Sequence, residues 1–332
     1  MSGDSSRVLR KDAHGVLEAS AEWYSIMHAD SVSDEDMRRW NAWMLADPSH
    51  RSAWERVMNI SSKFGAMPHA LNARAANHAL AAVSGKQRRQ TLKLLGALCA
   101  VGVGALLASR SRMASTLFAG HRTGVGEQRQ LILADGTEIW LNTETAIDVD
   151  YGGALRQVSL RSGEILIKTA ADRQSPARPF VVTTEQGNLR PLGTQFTVRG
   201  EDGVVNVAVF EGAVEVALRD DAAQARPVVH AGLQMSFSRS GAGAMQPAET
   251  LRRDWIHGVL AADNMRLADF IDELGRYHAG ILSCAPEVAD LRIVGAFPVR
   301  DMPAILAALE STLPITVRQY ARWWVSINKK SA

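Results

Sequence analysis

The chain has 332 residues, too many for one ordinary domain and suited to two or three. Its 37 Lys and Arg stand against 35 Asp and Glu, so no charge excess points to nucleic acid, and a hydrophobic content of 46% supports packed cores rather than disorder. Two cysteines, Cys99 in an apolar span and Cys284 far beyond it, exclude a disulfide framework if that span lies in a bilayer.

Residues 1 to about 85 read as helical. "EASAEWYSIMHA" sets Ala19, Trp23, Ile26 and Met27 on one helical face. In "SVSDEDMRRWNAWMLADPSH", Ser33 is the expected N-cap, with Asp34, Glu35 and Asp36 at the positive helix end. Met37, Trp40, Trp43 and Met44 follow at spacings of three and four. Pro48 interrupts the helix after Asp47, and "HRSAWERVMNI" sets Trp54, Val57 and Met58 on a further stripe. Four of the eight tryptophans fall in the first 54 residues, which predicts a small bundle with a tryptophan-rich core, able to present a helix face to a protein partner. Nine basic against ten acidic residues over 1–85 argue against DNA as that partner.

"GKQRRQTLKLLGALCAVGVGALLASRSR" follows. Leu94 to Ser109 is uncharged, and its sixteen residues reach about 24 Å as a helix against a hydrocarbon core of about 30 Å. Counting from Thr91, with Lys93 snorkelling, brings it to a marginal single-pass span within 86–112; a buried core helix is the alternative. The basic excess at its front (Lys86, Arg88, Arg89, Lys93) favours a cytoplasmic N-terminus and a periplasmic C-terminus, hence the inner membrane. Arg88, Arg89 and Lys93 in "RRQTLK" also resemble a twin-arginine export signal.

Beyond this segment the texture changes. Fifteen of the 26 glycines lie between Gly120 and Gly243, separating short alternating runs such as "RQLILADGTEIWLN" around an Asp135-Gly136 turn. An all-β sandwich, roll or solenoid is expected over 120–243. From Trp255 the pattern becomes strand–helix–strand twice. One helix is expected to be capped near Asn264, the other to start near Asp301 with Pro303 in its first turn, giving a small α+β module over 255–330.

Motifs for metal, nucleotide or hydrolytic chemistry are missing: there is no H-E-x-x-H, C-x-x-C, G-x-S-x-G or P-loop, and the nine histidines lack ligand spacing. The expectation is a protein that is not an enzyme and holds no cofactor or metal.

Several phrases carry a resemblance. "GEQRQLILADGTEIWLNTETAIDVDY", "RQVSLRSGEILIKTA", "RPFVVTTEQG", "LGTQFTVRG" and "VAVFEGAVEV" resemble the periplasmic domain of FecR-type transmembrane regulators. "EWYSIMHADSVSDEDMRRWNAWMLADPSHRSAWERV" resembles that family's cytoplasmic anti-sigma domain, and the last module resembles the short signalling fold of secretins and TonB receptors. The resemblance implies a multi-domain membrane protein: N-terminal helical bundle, one transmembrane helix, periplasmic all-β domain and C-terminal α+β module. It implies regulation of an extracytoplasmic-function sigma factor, relaying the state of an outer-membrane TonB-dependent siderophore or iron receptor through intramembrane and periplasmic proteases. Direct contact with nucleic acid is not expected. Trp23, Trp40, Trp43, Asp47, Pro48, His50 and Trp54 match the anti-sigma pattern, as sigma contacts or as core. Trp323 and Trp324, adjacent on an expected strand, are candidates for a receptor-facing surface. Gly193-Thr194 in "PLGTQFTV" is either a tight turn or, as the resemblance implies, a bond that cuts itself once by an N–O acyl shift. The rival reading of the chain is an envelope-anchored structural or adhesive β-protein.

Overall fold

The computed structural model describes residues 15–16, 19–20, 22–24, 26–27, 32–63, 119–220, 226–321 and 323–330. Its contacts divide the chain into two units: Met1–Ala114 with Gln319–Trp324, and Ser115–Arg318 with Val325–Ala332.

In the first unit, helix α1 (Asp34–Ala46) begins where Ser33 accepts the Asp36 N–H on its hydroxyl, the cap expected from the sequence. Asp47 ends α1 in an extended conformation, and Pro48 opens α2 (Pro48–Lys63) at a position that needs no N–H donor. Ala53 and Val57 are buried.

The membrane-protein fold class expected from the sequence is not the architecture found. Among the described residues no helix is long and apolar enough to cross a membrane, and strand residues outnumber helical ones. The expected span at 86–112, with Arg88, Arg89, Lys93 and Cys99, lies outside the described residues. The weakness of that reading is physical: sixteen uncharged residues fall short of a hydrocarbon core, and Gly96, Gly102 and Gly104 lower helix propensity.

The second unit opens with thirteen strands in one branched sheet system. The strands are β1 (His121–Arg122), β2 (Arg129–Ile132), β3 (Glu138–Leu141), β4 (Ala146–Asp150), β5 (Arg156–Lys168), β6 (Phe180–Thr183), β7 (Gly187–Pro191), β8 (Gln195–Glu201), β9 (Val204–Glu211), β10 (Ala213–Leu218), β11 (Val228–His230), β12 (Leu233–Phe237) and β13 (Gln246–Pro247). The spine is β5. Its first half pairs with β4 and, in parallel, with β6; its second half pairs with β3 and β8. The change of partners falls at Gly163, where φ is +84° and a Cβ would lie 2.4 Å from the Thr145 hydroxyl, so only glycine fits. Ile165 and Ile167 then point into the β core with Ile139, Phe196 and Val198, while Leu166 between them packs into a second core. Both faces being covered, the segment reads as an unbroken apolar run.

That second core belongs to the α+β module: a 3₁₀ helix (Thr250–His257), β14 (Val259–Arg266), α3 (Leu267–Gly275), β15 (Ile281–Cys284), β16 (Arg292–Pro298), α4 (Met302–Thr312), β17 (Ile315–Ala321) and β18 (Trp324–Lys329). The pairings are β14 with β16 and the order β15–β18–β17. Asp301 caps α4 by accepting the Ala304 N–H, and Pro303 sits in its first turn, as expected. The cap expected near Asn264 is not formed: Asn264 is a left-handed residue (φ +50°) at an irregularity in β14, and Arg266 precedes α3 without a side-chain cap. Asparagine tolerates the left-handed region, and the bulge uses that tolerance instead.

A polar interlock joins the module to the β strands. Arg276, just past α3, pairs with Glu164 of β5 at 2.8 Å and with Glu273, and Glu273 in turn pairs with Arg199 of β8 at 2.7 Å. Asn142 donates to both Glu164 and Tyr277 at 2.9 Å, and the Thr143 hydroxyl donates to the Arg276 carbonyl at 2.9 Å. Burial opposes ionisation of Glu273, but the guanidiniums of Arg276 and Arg199 outweigh it and hold the carboxyl below its ordinary range. The same balance, with burial opposed by Glu164 and Glu273, raises Arg276. Removing one partner strands the others in a poorly hydrated site. Arg276→Ala is therefore expected to lower stability by about 3–5 kcal/mol in urea titration, whereas a loss near zero would mean that water replaces the guanidinium. Because the folded pKa of Glu273 is depressed, its contribution is complete above the ordinary value near 4.5 and is lost as pH falls below it; unfolding midpoints are expected to decline on acidification through that range.

Candidate functional site

The sequence-predicted residues fall into three places. At the α1–α2 corner, Asp47 accepts the Ser49 N–H at 2.7 Å, and the Ser49 hydroxyl and backbone hold its carboxyl below the ordinary range. His50, on the first turn of α2, places Nδ1 2.8 Å from the Trp43 carbonyl and stacks on the Trp43 ring with centroids 4.5 Å apart. Trp40 meets Trp54 edge to face at 5.4 Å, and Arg39 lies over Trp23 at 5.9 Å. The tryptophans thus act first as the clamp between helices. Apolar surface also stays exposed on α1, at Met37 and most of all at Leu45, 77% exposed.

The second place is Gly193-Thr194, at the entrance to β8. Gly193 has φ +67°, and Thr194 is buried. Thr169 fixes the Thr194 backbone from both sides: its hydroxyl accepts the Thr194 N–H at 2.9 Å and donates to the Thr194 carbonyl at 3.2 Å. The Thr194 hydroxyl itself is buried with no hydrogen-bond partner. Gly212 presses against the preceding carbonyl: a Cβ there would lie 2.3 Å from the Gly193 oxygen and 2.8 Å from Thr194 Cγ2. The site combines a left-handed glycine turn with an unpartnered nucleophilic oxygen.

The third place departs from expectation. "QYARWWVSIN" is not one strand: β17 ends at Ala321, Trp323 lies in the turn, and Trp324 starts β18. The alternation expected of adjacent strand residues is therefore lost, and Trp323 and Trp324 are both buried, 7% and 1% exposed.

No group of His, Cys, Asp and Glu suited to a metal occurs among the described residues. Cys284 is a free thiol whose pKa burial pushes up to about 12, so it is a weak nucleophile near neutrality. The interlock around Glu164 and Arg276 was missed in the sequence. Its one sequence signal is a carboxylate, Glu164, placed directly before the apolar run "ILI".

A branched β domain locked to a small α+β module, in a chain that also carries a tryptophan-clamped helix pair, defines the class. Residues 119–215 match the FecR protein family, and residues 18–60 match a domain of unknown function, DUF4880. Residues 119–215 thus form a FecR-type domain, as the β-domain phrases indicated. Two crystal structures from Parabacteroides distasonis, each described as a "putative anti-sigma factor" and solved at 1.65 and 2.50 Å, align with TM-score 0.51 and 23% identity. They cover 64% of this chain and 99% and 98% of their own, and at that identity they bear on the fold. No curated protein matches the chain.

Gly212 supplies the check on this geometry. Gly212→Ala adds a methyl against the Gly193 carbonyl at a positive φ and is expected to cost about 2 kcal/mol or more in thermal or urea unfolding. A neutral result would show that the two turns are not in contact.

Proposed function

We propose that the chain regulates a sigma factor through its N-terminal helices. The observation that carries this reading is the co-occurrence, in family order, of the 18–60 and 119–215 matches, with exposed Leu45 and Met37 beside the tryptophan clamp as a contact face. The solved neighbours described as anti-sigma factors support it. In the fuller form of the proposal the sigma factor is of the extracytoplasmic-function type. A TonB-dependent receptor for a siderophore or other iron source engages the α+β module, and proteolysis then frees the N-terminal segment with its sigma factor.

The test is co-purification from the native host with the tagged full-length chain, read by mass spectrometry. A sigma factor is expected with the unmodified chain and is expected to fall about tenfold or more with Leu45→Asp, since a charge at the centre of a contact face is poorly tolerated. Recovery of no sigma factor, or equal recovery with the variant, overturns the proposed contact. Recovery of cell-envelope polymers alone would favour a structural or adhesive β-protein.

We also propose that the Gly193–Thr194 bond is cut by the chain itself. The unpartnered Thr194 hydroxyl beside a left-handed Gly193 supports this. The oxygen attacks the Gly193 carbonyl carbon, and the C–N bond breaks as the nitrogen takes a proton. The resulting ester is hydrolysed by water to a Gly193 carboxylate and a free Thr194 hydroxyl. Denaturing electrophoresis is expected to show two fragments meeting at Thr194 in the unmodified chain and in Thr194→Ser, and one band in Thr194→Ala. A single intact band from the unmodified chain refutes it.

A further inference from the structure

A groove of about 420 Å³ runs where β2 and β3 meet the end of the 3₁₀ helix and the start of β14, and none of the elements above accounts for it. Arg129, His257 and Arg300 line it, together with Gln130, Trp140 and Trp255. No acidic side chain does. All three basic residues are exposed, and none is held in an ion pair among the described residues. Elsewhere in this unit Arg156, Arg178, Arg199, Arg239, Arg266 and Arg276 are each matched to a carboxylate.

The fold builds this place rigidly. Gly258, left-handed at φ +74°, turns the chain from the 3₁₀ helix into β14 and returns its N–H to the Trp255 carbonyl at 2.8 Å. Gln128 donates to that same carbonyl at 2.7 Å, tying the start of β2 to the corner. Trp255 is 3% exposed, yet its indole N–H has no acceptor, which is costly for a buried donor unless something supplies one. Beside the groove, β2 pairs with β3 alone, so its outer edge is open among the described residues, and Ile132 on it is 72% exposed.

We propose that this groove binds an extended acidic peptide segment of a partner protein. The peptide adds as a strand to the edge of β2, with its carboxylates against Arg129, His257 and Arg300 and an apolar side chain over Trp140. Each feature selects the ligand. Unpaired guanidiniums take carboxylates through charge-assisted hydrogen bonds. An open strand edge takes an extended backbone and neither a globular surface nor a lipid headgroup. A cavity of this size exceeds a single inorganic anion and falls in the range that holds a few side chains. Two guanidiniums and an imidazole are too few for a nucleic-acid track, in keeping with the near-neutral chain. The proposal is independent of the sigma-factor reading, since every residue it uses lies in the second unit.

The experiment uses the purified full-length chain and a fluorescein-labelled peptide of alternating Glu and Val, followed by anisotropy. Saturable binding that weakens with added salt is expected. It should fall about tenfold or more in Arg129→Gln with Arg300→Gln, and further in Arg129→Glu with Arg300→Glu. The matching Lys–Val peptide is expected not to bind, and excess inorganic phosphate is expected not to compete. All four substitutions fall on exposed side chains, so unchanged unfolding midpoints are expected. Equal affinity of the unmodified and Gln-substituted chains overturns the proposal, as does equal binding of the Lys–Val peptide. Competition by phosphate alone would reduce the site to an adventitious anion site. Binding only to vesicles of phosphatidylglycerol would replace the peptide with a lipid surface.

Discussion

Two carboxylates and two guanidiniums packed in alternation, Glu164 buried and Arg276, Glu273 and Arg199 half-buried, set the terms for the second unit of this protein. None of the four is tolerable there alone, since an ion in a poorly hydrated site costs several kcal/mol without its partner. Arg276–Glu273 and Arg199–Glu201 can form locally, but Glu164–Arg276 and Arg199–Glu273 form only when the chain brings β5, β8 and the end of α3 together. The apolar surroundings make the same demand. Leu166 of β5, Trp140 of β3 and Phe210 of β9 pack with Phe270, Ile271 and Leu274 of α3, so the strands' outer face is the module's floor. What the sequence presents as a β domain followed by a separate α+β module is one compact body with two cores.

Position on the spine explains much of the rest. Because β5 changes partners at Gly163, its two halves serve different neighbours, and only the second half is covered on both faces. The buried pair Asp135–Arg156 does at the first half what the interlock does at the second. Asp135 accepts from Thr137, Tyr151 and Arg156, the last at 2.6 Å, and so ties the β2–β3 loop to the start of β5. A residue that reads locally as a turn former is in fact a buried anchor.

Local signals in the sequence were largely legible. Ser33 and Asp301 cap the helices they precede, Pro48 and Pro303 sit in first turns, and the runs flanking Asp135-Gly136 pair as a hairpin, because each feature depends on chemistry within a few residues. Asn264 and Trp323 were misplaced because each sits where local preference meets a tertiary demand, a bulge in β14 and a turn between β17 and β18. The interlock was illegible for a different reason. Glu164 and Arg276 lie more than a hundred residues apart, and nothing in either neighbourhood distinguishes a buried ion from an exposed one. Of the candidate sites, the helical corner was readable as a cluster of residue types. The unpartnered hydroxyl of Thr194 and the unpaired cations beside β2 emerge only once their surroundings are placed.

A welded second unit couples its parts. The module, β5 and β8 share one interlocked body, and β8 begins at Gln195, directly after Thr194, so the Gly193–Thr194 turn belongs to that same body. Native-state hydrogen exchange tests that coupling most directly. Amides in the second half of β5 and in α3 are expected to open with one common free energy that follows the stability of the whole unit. If α3 opens at a markedly lower free energy while β5 stays protected, the module is a separate body, and the coupling described here does not exist.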